Sequence, residues 1–372
     1  MKLPIHIQNL PPYTPIEPFE ILSERVGRKP EDIIKLDANE NPYGISPRVR
    51  HALAEMEYPH IYPDPESRAL RAALAAFTGA PAENLLAGSG ADELLDLITR
   101  LLLAPGDKVI NCPPTFGMYS FDTQLNAGCV VDVPRRADFS LDVDGIRATV
   151  AEHQPRLIFL TSPNNPDGSL IPPEVLDEIL SLPILVVLDE AYIEFADEQN
   201  TLGKSLSNIT RVSGLDNLIV LRTFSKWAGL AGLRVGYGAF PAWLMPTLWK
   251  AKQPYNVTVA ASEAGIASLE DAEYLAKVVA RLRVERERLM AGLKKIPYLA
   301  PYPTHSNFIL CRVSGRDAAQ LKADLAEKHG IFIRYFNKPG LTDCIRISVG
   351  KPEQTDALLN ALSNVECQAS II

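Results

Sequence analysis

The chain is predicted to be an α/β protein: a large domain on a mainly parallel central sheet flanked by helices, followed by a smaller α/β domain. Three observations predict it. Short β-branched runs alternate with helical stretches through the first two thirds of the sequence. That alternation stops at a long helical stretch, near 256–296, and a shorter strand–helix pattern resumes after it. The length of 372 residues also fits two or three domains at roughly 150 residues each.

Taken in order, the first 45 residues hold seven prolines and little periodicity, so they read as an extended arm packed against something else. Helices are expected at 66–78, 91–104, 116–126, 143–153 and 174–181. Strands are expected at 108–112, 129–133, 157–161, 184–188, 218–222 and 233–240. The charged run RLRVERERLMAGLKK ends the long helical stretch and reads as a solvated helix face. Beyond it come strand 307–312, helix 317–329, strands 331–334 and 344–349, and helix 353–364. The resulting division is 1–45 for the arm and part of the small domain, 46–280 for the large domain and 281–372 for the small one.

Composition narrows the function classes. A formal net charge of −8 argues against a nucleic-acid partner, which needs a basic face. The longest apolar stretches, 182–188 and 94–104, fall short of the ~20 residues that cross a membrane. The N-terminal MKLPIHIQNLPPYTP lacks the apolar core of a signal peptide. Five cysteines, at 112, 129, 311, 344 and 367, form no Cys-x-x-Cys pair, which predicts buried thiols in a reducing cytoplasm. The six histidines lack ligand spacing, so no metal site is expected.

Two segments concentrate reactive groups, ILVVLDEAY (184–192) and LRTFSKWAGLAGLRVGYG (221–238). Asp189 ends a strand candidate, at the edge where open α/β sheets bind ligands. A carboxylate buried there needs a cationic partner, although an N-cap or an arginine salt bridge would serve this residue equally well. Tyr192 follows at the strand exit, where half-buried packing is the plainer reading. Lys226 stands at a strand-to-loop break, a poor packing choice and a plausible amine nucleophile; a surface lysine is the alternative. Arg234 lies past Gly229 and Gly232, whose backbones let its guanidinium turn back toward the lysine, and its fork suits a phosphate dianion. Thr223 and Ser225 offer hydroxyls to the same anion. Gly90, Ala91 and Asp92 open a helix, a ready anion site, although the acidic residues there could serve only the helix dipole. Asn165, in TSPNNPDG, could reach a ring oxygen or simply build a turn. Together these groups would hold pyridoxal 5′-phosphate: a lysine for an imine, a carboxylate for the ring nitrogen, a phenol for the ring oxygen, and an arginine and a serine for the phosphate.

The motifs DEAY (189–192), TFSKWAGLAGLRVGY (223–237) and SPNNPDG (162–168) resemble the fold-type I pyridoxal-phosphate-dependent aminotransferases, and within them the histidinol-phosphate aminotransferases. Further matches are LDANENPYG (36–44), YPDP (62–65), GSGADE (88–93) and IRISVG (345–350). The resemblance implies that Lys226 carries the internal aldimine, that Asp189 meets the pyridine nitrogen, and that Tyr192 and Asn165 meet the ring oxygen. Thr223, Ser225, Arg234 and the backbone of Ala91 and Asp92 would bind the cofactor phosphate. Phe116 would stack on the ring where the family often has tyrosine, and Asp167 replaces the family's usual threonine. Tyr62 would reach the phosphate from a second subunit, which implies a homodimer with shared active sites. Arg346 matches the arginine that holds the substrate carboxylate, and Arg334 a second one that helps hold the substrate phosphate. Tyr13 and Asn41 would close over the substrate.

The activity so implied is transamination between histidinol phosphate and 2-oxoglutarate, with glutamate as the physiological amino donor, in histidine biosynthesis. An aromatic amino-acid aminotransferase or a phosphothreonine decarboxylase would share the scaffold. A non-catalytic binding protein of the same fold is the reading from a different class.

Overall fold

The computed structural model describes residues 2–10 and 17–369. The strand-forming runs pair into two sheets. Seven strands build the larger: β2 (Leu85–Gly88), β3 (Lys108–Asn111), β4 (Cys129–Asp132), β5 (Leu157–Thr161), β6 (Leu185–Asp189), β7 (Leu218–Thr223) and β8 (Gly236–Ala239). Their order is β2-β8-β7-β6-β5-β3-β4. All neighbours are parallel except β8, which runs antiparallel to both β2 and β7.

The apolar content of the central strands explains their position. In β5, Leu157 and Phe159 pack into one core while Ile158 and Leu160 pack into another. In β6 and β7 the residues divide the same way, Val187, Ile219 and Leu221 against Val186, Leu188, Leu218 and Val220. Side chains alternate across a strand, so a run apolar at every position needs cover on both faces. Helices such as Ala91–Leu102 and Met245–Ala251 supply it on one face and Pro173–Leu180 on the other.

Five strands form the smaller sheet: β1 (Ile34–Leu36), β9 (Leu299–Pro301), β10 (Phe308–Val313), β11 (Ile331–Tyr335) and β12 (Cys344–Ser348), in the order β1-β11-β12-β10-β9. β1 joins it in parallel, with Ile34 opposite Ile331 and Leu36 opposite Ile333. The early segment is therefore bound to the C-terminal unit, and the chain just after β1 passes across the site described below.

Three expectations need correction. The stretch 256–296 is two helices, Val259–Glu270 and Ala272–Leu293, broken at Asp271, which ends the first helix and precedes the second. The charged run is not merely solvated. Arg286 donates to the carbonyls of Phe195 and Ser306 (3.2 Å each), and Arg283 bonds the Asp197 carbonyl and Asn200. Glu285 is buried under a forked contact from Arg288 (2.8–3.1 Å). These long side chains lay their stems on the helix and reach neighbouring elements with their heads. Finally, Cys129 is exposed, while Cys112, Cys311 and Cys344 are buried, and all four are free thiols. No helix of the described residues is long and apolar enough to cross a membrane.

Candidate active site

The carboxyl ends of β5, β6 and β7 converge on a cavity of about 480 Å³, the place where parallel sheets expose free backbone groups and loops to a ligand. Lining it are Ala91, Asp92, Phe116, Asn165, Asp189, Tyr192, Thr223, Ser225, Lys226 and Arg234. Residues as far apart in the chain as Ala91 and Arg234 thus meet around one space.

Asp189 forms the floor. It is the last residue of β6 and only 5% exposed. One carboxylate oxygen accepts from the Ala191 amide (2.9 Å) and the other from the Tyr119 hydroxyl (2.8 Å). Burial pushes this carboxyl up to about 6, against the two hydrogen bonds, which pull it down. Tyr119 is fully buried, its hydroxyl also lies 2.7 Å from Thr161 Oγ1, and burial together with the Asp189 charge drives its pKa well upward. Among the described residues Asp189 has no cationic partner, so a cationic ring nitrogen entering the cavity would supply what the buried acid lacks.

Lys226 reaches the cavity from the loop after β7. Its ammonium donates to the Ala38 carbonyl (3.0 Å) and lies 5.9 Å from the centroid of the Tyr192 ring. The loop is held by its neighbour: Trp227 is fully buried and its indole N–H donates to the Thr223 carbonyl (2.9 Å). Asn41 donates to the Trp227 carbonyl (2.9 Å) and accepts from the Tyr43 amide (3.0 Å). Asn41, expected over the substrate, thereby fastens the lysine loop.

An anion cradle sits beside the lysine. Arg234 adopts φ +53° just ahead of β8, in the left-handed region and not within a strand as expected. Its guanidinium approaches Ser225 Oγ (3.5 Å) and pairs with Asp92 (2.8 Å), and Thr223 Oγ1 donates to Ser225 Oγ (3.0 Å). Two glycines make the approach possible. At Gly90 (φ +78°) a Cβ would lie 2.4 Å from Arg234 Nη2, and at Gly236 one would lie 2.5 Å from the Ala91 nitrogen. The loop before the helix is pinned by Glu93, which accepts from the Ser89 amide (2.5 Å) and from Asn256 (2.8 Å). Hydroxyls, a guanidinium and the free N–H groups of a twelve-residue helix thus meet at one point, a donor set suited to a phosphate dianion. With the flat Phe116 ring lining the same cavity, the residues present fit a phosphorylated pyridine that carries a carbonyl.

A second cationic place adjoins it. Arg346 and Arg334 face each other across β12 and β11. Arg346 is buried, donates to the Asp37 carbonyl (2.9 Å), bonds Asn165 Oδ1, and lies 5.0 Å over the Phe308 ring and 5.5 Å from that of Phe336. Arg334 is half-buried, 5.9 Å from the Phe336 ring centroid. One sequence-predicted residue lies elsewhere. Tyr62 is 80% exposed and stacks on Tyr255 (4.7 Å) beside a separate groove, away from this chain's own cavity. Tyr13 lies outside the described residues.

Sequence reasoning missed Tyr119 and Asn39. Tyr119 sits three residues beyond Phe116 in the same PPTFGMYS segment, and the i, i+3 spacing was the available signal. Asn39, at φ +57°, donates to the Tyr192 hydroxyl (3.1 Å), bonds Ser348 Oγ through both its amide and its side chain, and accepts from Asn307. It knots the early segment to both sheets, a role visible only in three dimensions.

Residues 31–362 match the family described as aminotransferase class I and II. The chain is 58% identical over 360 residues to the chloroplastic histidinol-phosphate aminotransferase of Nicotiana plumbaginifolia, covering 96% of this chain and 85% of that one. It is 51% identical over 366 residues to the histidinol-phosphate aminotransferase of Roseiflexus castenholzii, covering 96% of each. Among solved structures it is similar to the histidinol-phosphate aminotransferase from Sinorhizobium meliloti in complex with pyridoxal-5′-phosphate. There the TM-score is 0.88 at 33% identity, with 98% of this chain and 97% of that one covered.

Proposed function

Since the chain belongs to the class I and II aminotransferases, and within them to the histidinol-phosphate aminotransferases, we propose how its own residues divide the work of that reaction. It is a pyridoxal-phosphate-dependent enzyme that moves an amino group between histidinol phosphate and 2-oxoglutarate, with glutamate as the donor in histidine biosynthesis. The observation that carries the assignment of roles is the buried, cation-free Asp189 on the floor of a cavity that Lys226 also enters.

When bound, the cofactor supplies a carbonyl that exchanges amines and an electron-poor ring that stabilises negative charge at the adjoining carbon. Asp189, buried and without a cationic partner among the described residues, would hold the ring nitrogen cationic. Phe116, which lines the cavity, would face the ring, and Tyr192 and Asn165 would serve its oxygen. Thr223, Ser225, Arg234 and the first amides of the helix Ala91–Leu102 hold the phosphate. Lys226 would tether the cofactor covalently, and its Nζ would serve as the general base that takes the proton from the substrate α-carbon. A positioned general base contributes ~10²–10⁴-fold. Arg346 and Arg334 present two guanidiniums to the substrate phosphate, and the same pair takes the glutamate carboxylate in the other half-reaction.

Three finer readings accompany this. The domain division is read as 1–45, 46–280 and 281–372, a reading supported by the two separate sheets and by β1 joining the smaller one. A homodimer would give exposed Tyr62 a place in the partner's site, while Tyr13 and Asn41 would close over the substrate. A cytoplasmic or equivalent reducing location follows from the cysteine pattern, alongside a Nicotiana relative that is chloroplastic. The test is a donor panel on the pyridoxal form: histidinol phosphate and glutamate should convert it to the pyridoxamine form. Preference for phenylalanine, or CO₂ release from phosphothreonine, would contradict the assignment.

A further inference from the structure

We infer that Glu20 is a specificity-determining residue that recognises the imidazole ring of the substrate by accepting its N–H; this rests on the histidinol-phosphate reading above. The helix Phe19–Val26 is anchored on the small sheet through Leu22, which packs with Ile33, Ala326 and Phe332. Arg25 reinforces the anchor, over the Phe332 ring and paired with Glu17 (2.5 Å). Its first turn is thereby held at the cavity rim, where Phe19 and Glu20, both exposed, line the opening.

Five carboxylates line this cavity: Glu17, Glu20, Glu40, Asp92 and Asp189. Four have partners. Glu17 pairs with Arg25, Glu40 with Lys35 (2.7 Å) and Asp92 with Arg234 (2.8 Å), and Asp189 accepts from Tyr119. Glu20 alone has neither a hydrogen bond nor an ion pair among the described residues, and it forms none with Arg334 or Arg346. The substrate brings three polar features. Its phosphate suits the arginine pair, its amine belongs beside Lys226, and its imidazole carries an N–H donor that no cationic group can satisfy. A carboxylate is the matching acceptor for a ring that titrates near neutrality, because it takes the N–H of the neutral form and also balances the charge of the protonated one. Phe19 offers the apolar wall that such a ring needs.

The test compares histidinol phosphate with phenylalaninol phosphate, which keeps the amine and phosphate but has no ring N–H. Glu20→Ala should raise the KM for histidinol phosphate about tenfold, the lower end of what a hydrogen bond to a charged group is worth, with kcat within about twofold. Glu20→Gln, which keeps an acceptor oxygen, should fall between. The KM for phenylalaninol phosphate and for glutamate should not move, and the glutamate half-reaction also shows that each variant is folded. Equal shifts for both phosphates, or no shift for histidinol phosphate, overturn the inference. A wild-type protein that fails to turn over histidinol phosphate at all overturns the parent reading instead, a result that precedes and is separate from any effect of Glu20.

Discussion

Replacing Asp189 by asparagine should make the cofactor-free protein more stable at neutral pH while abolishing its function. The carboxyl is raised by burial from 3.8 to about 6. At about 1.4 kcal/mol per pH unit, an ionised Asp189 in the cofactor-free protein costs about 3 kcal/mol. The native carboxyl keeps its proton to higher pH than the unfolded one. Its contribution is therefore fully favourable below pH ~4 and is lost as pH rises through about 6. Asparagine can keep the network: its oxygen accepts from the Ala191 amide, its NH₂ donates to the Tyr119 hydroxyl, and that hydroxyl turns to Thr161. For 372 residues at about 2.1 cal/mol/K each, a change of 3 kcal/mol corresponds to a Tm shift of about 4 °C. Scanning calorimetry of the stripped proteins should show Asp189→Asn melting about 4 °C higher than wild type at pH 8 and level with it at pH 4. Adding pyridoxal phosphate should reverse the order, because only the wild type gains a charge partner. A variant destabilised equally at both pH values would refute the reasoning, since it would mean that the carboxylate is satisfied without a cation.

Other perturbations reach different parts of the site. Lys226→Ala should abolish both half-reactions, beyond the ~10²–10⁴-fold of a lost general base, in single-turnover absorbance measurements. Gly90→Ala places a methyl 2.4 Å from Arg234 Nη2 at φ +78° and should weaken cofactor binding at least tenfold, read by titrating the stripped protein with pyridoxal phosphate. Beneath the site, Arg222 and Glu194 form a fully buried pair at 2.7 Å. Arg222→Leu should cost about 3–5 kcal/mol in urea denaturation, and the double variant with Glu194→Leu should recover most of it.

Much of this architecture was readable in advance, for identifiable reasons. The runs at 157–161, 185–189 and 218–223 are apolar at nearly every position because the sheet is covered on both faces. The chemistry clusters where those runs end because strand ends are where backbone and loops open to a ligand. Strand β2 escaped notice because LLAG flows into the glycines that open the next helix, and β1 because three residues show no period. Tyr119 and Asn39 were invisible for a different reason. Their value lies in partners 70 and 309 positions away, and no local pattern encodes such pairings. The bond from Asn41 to the Trp227 carbonyl was hidden on the same ground: its motif was plain, but its partner was not.

The central claim is that Lys226 is the residue to which the cofactor is covalently tethered. Borohydride reduction of the protein loaded with pyridoxal phosphate, followed by peptide mass mapping, tests it directly. The account predicts one phosphopyridoxyl adduct per chain, on the peptide containing Lys226, with loss of the yellow absorbance. An adduct confined to another lysine, or none after full loading, would contradict it.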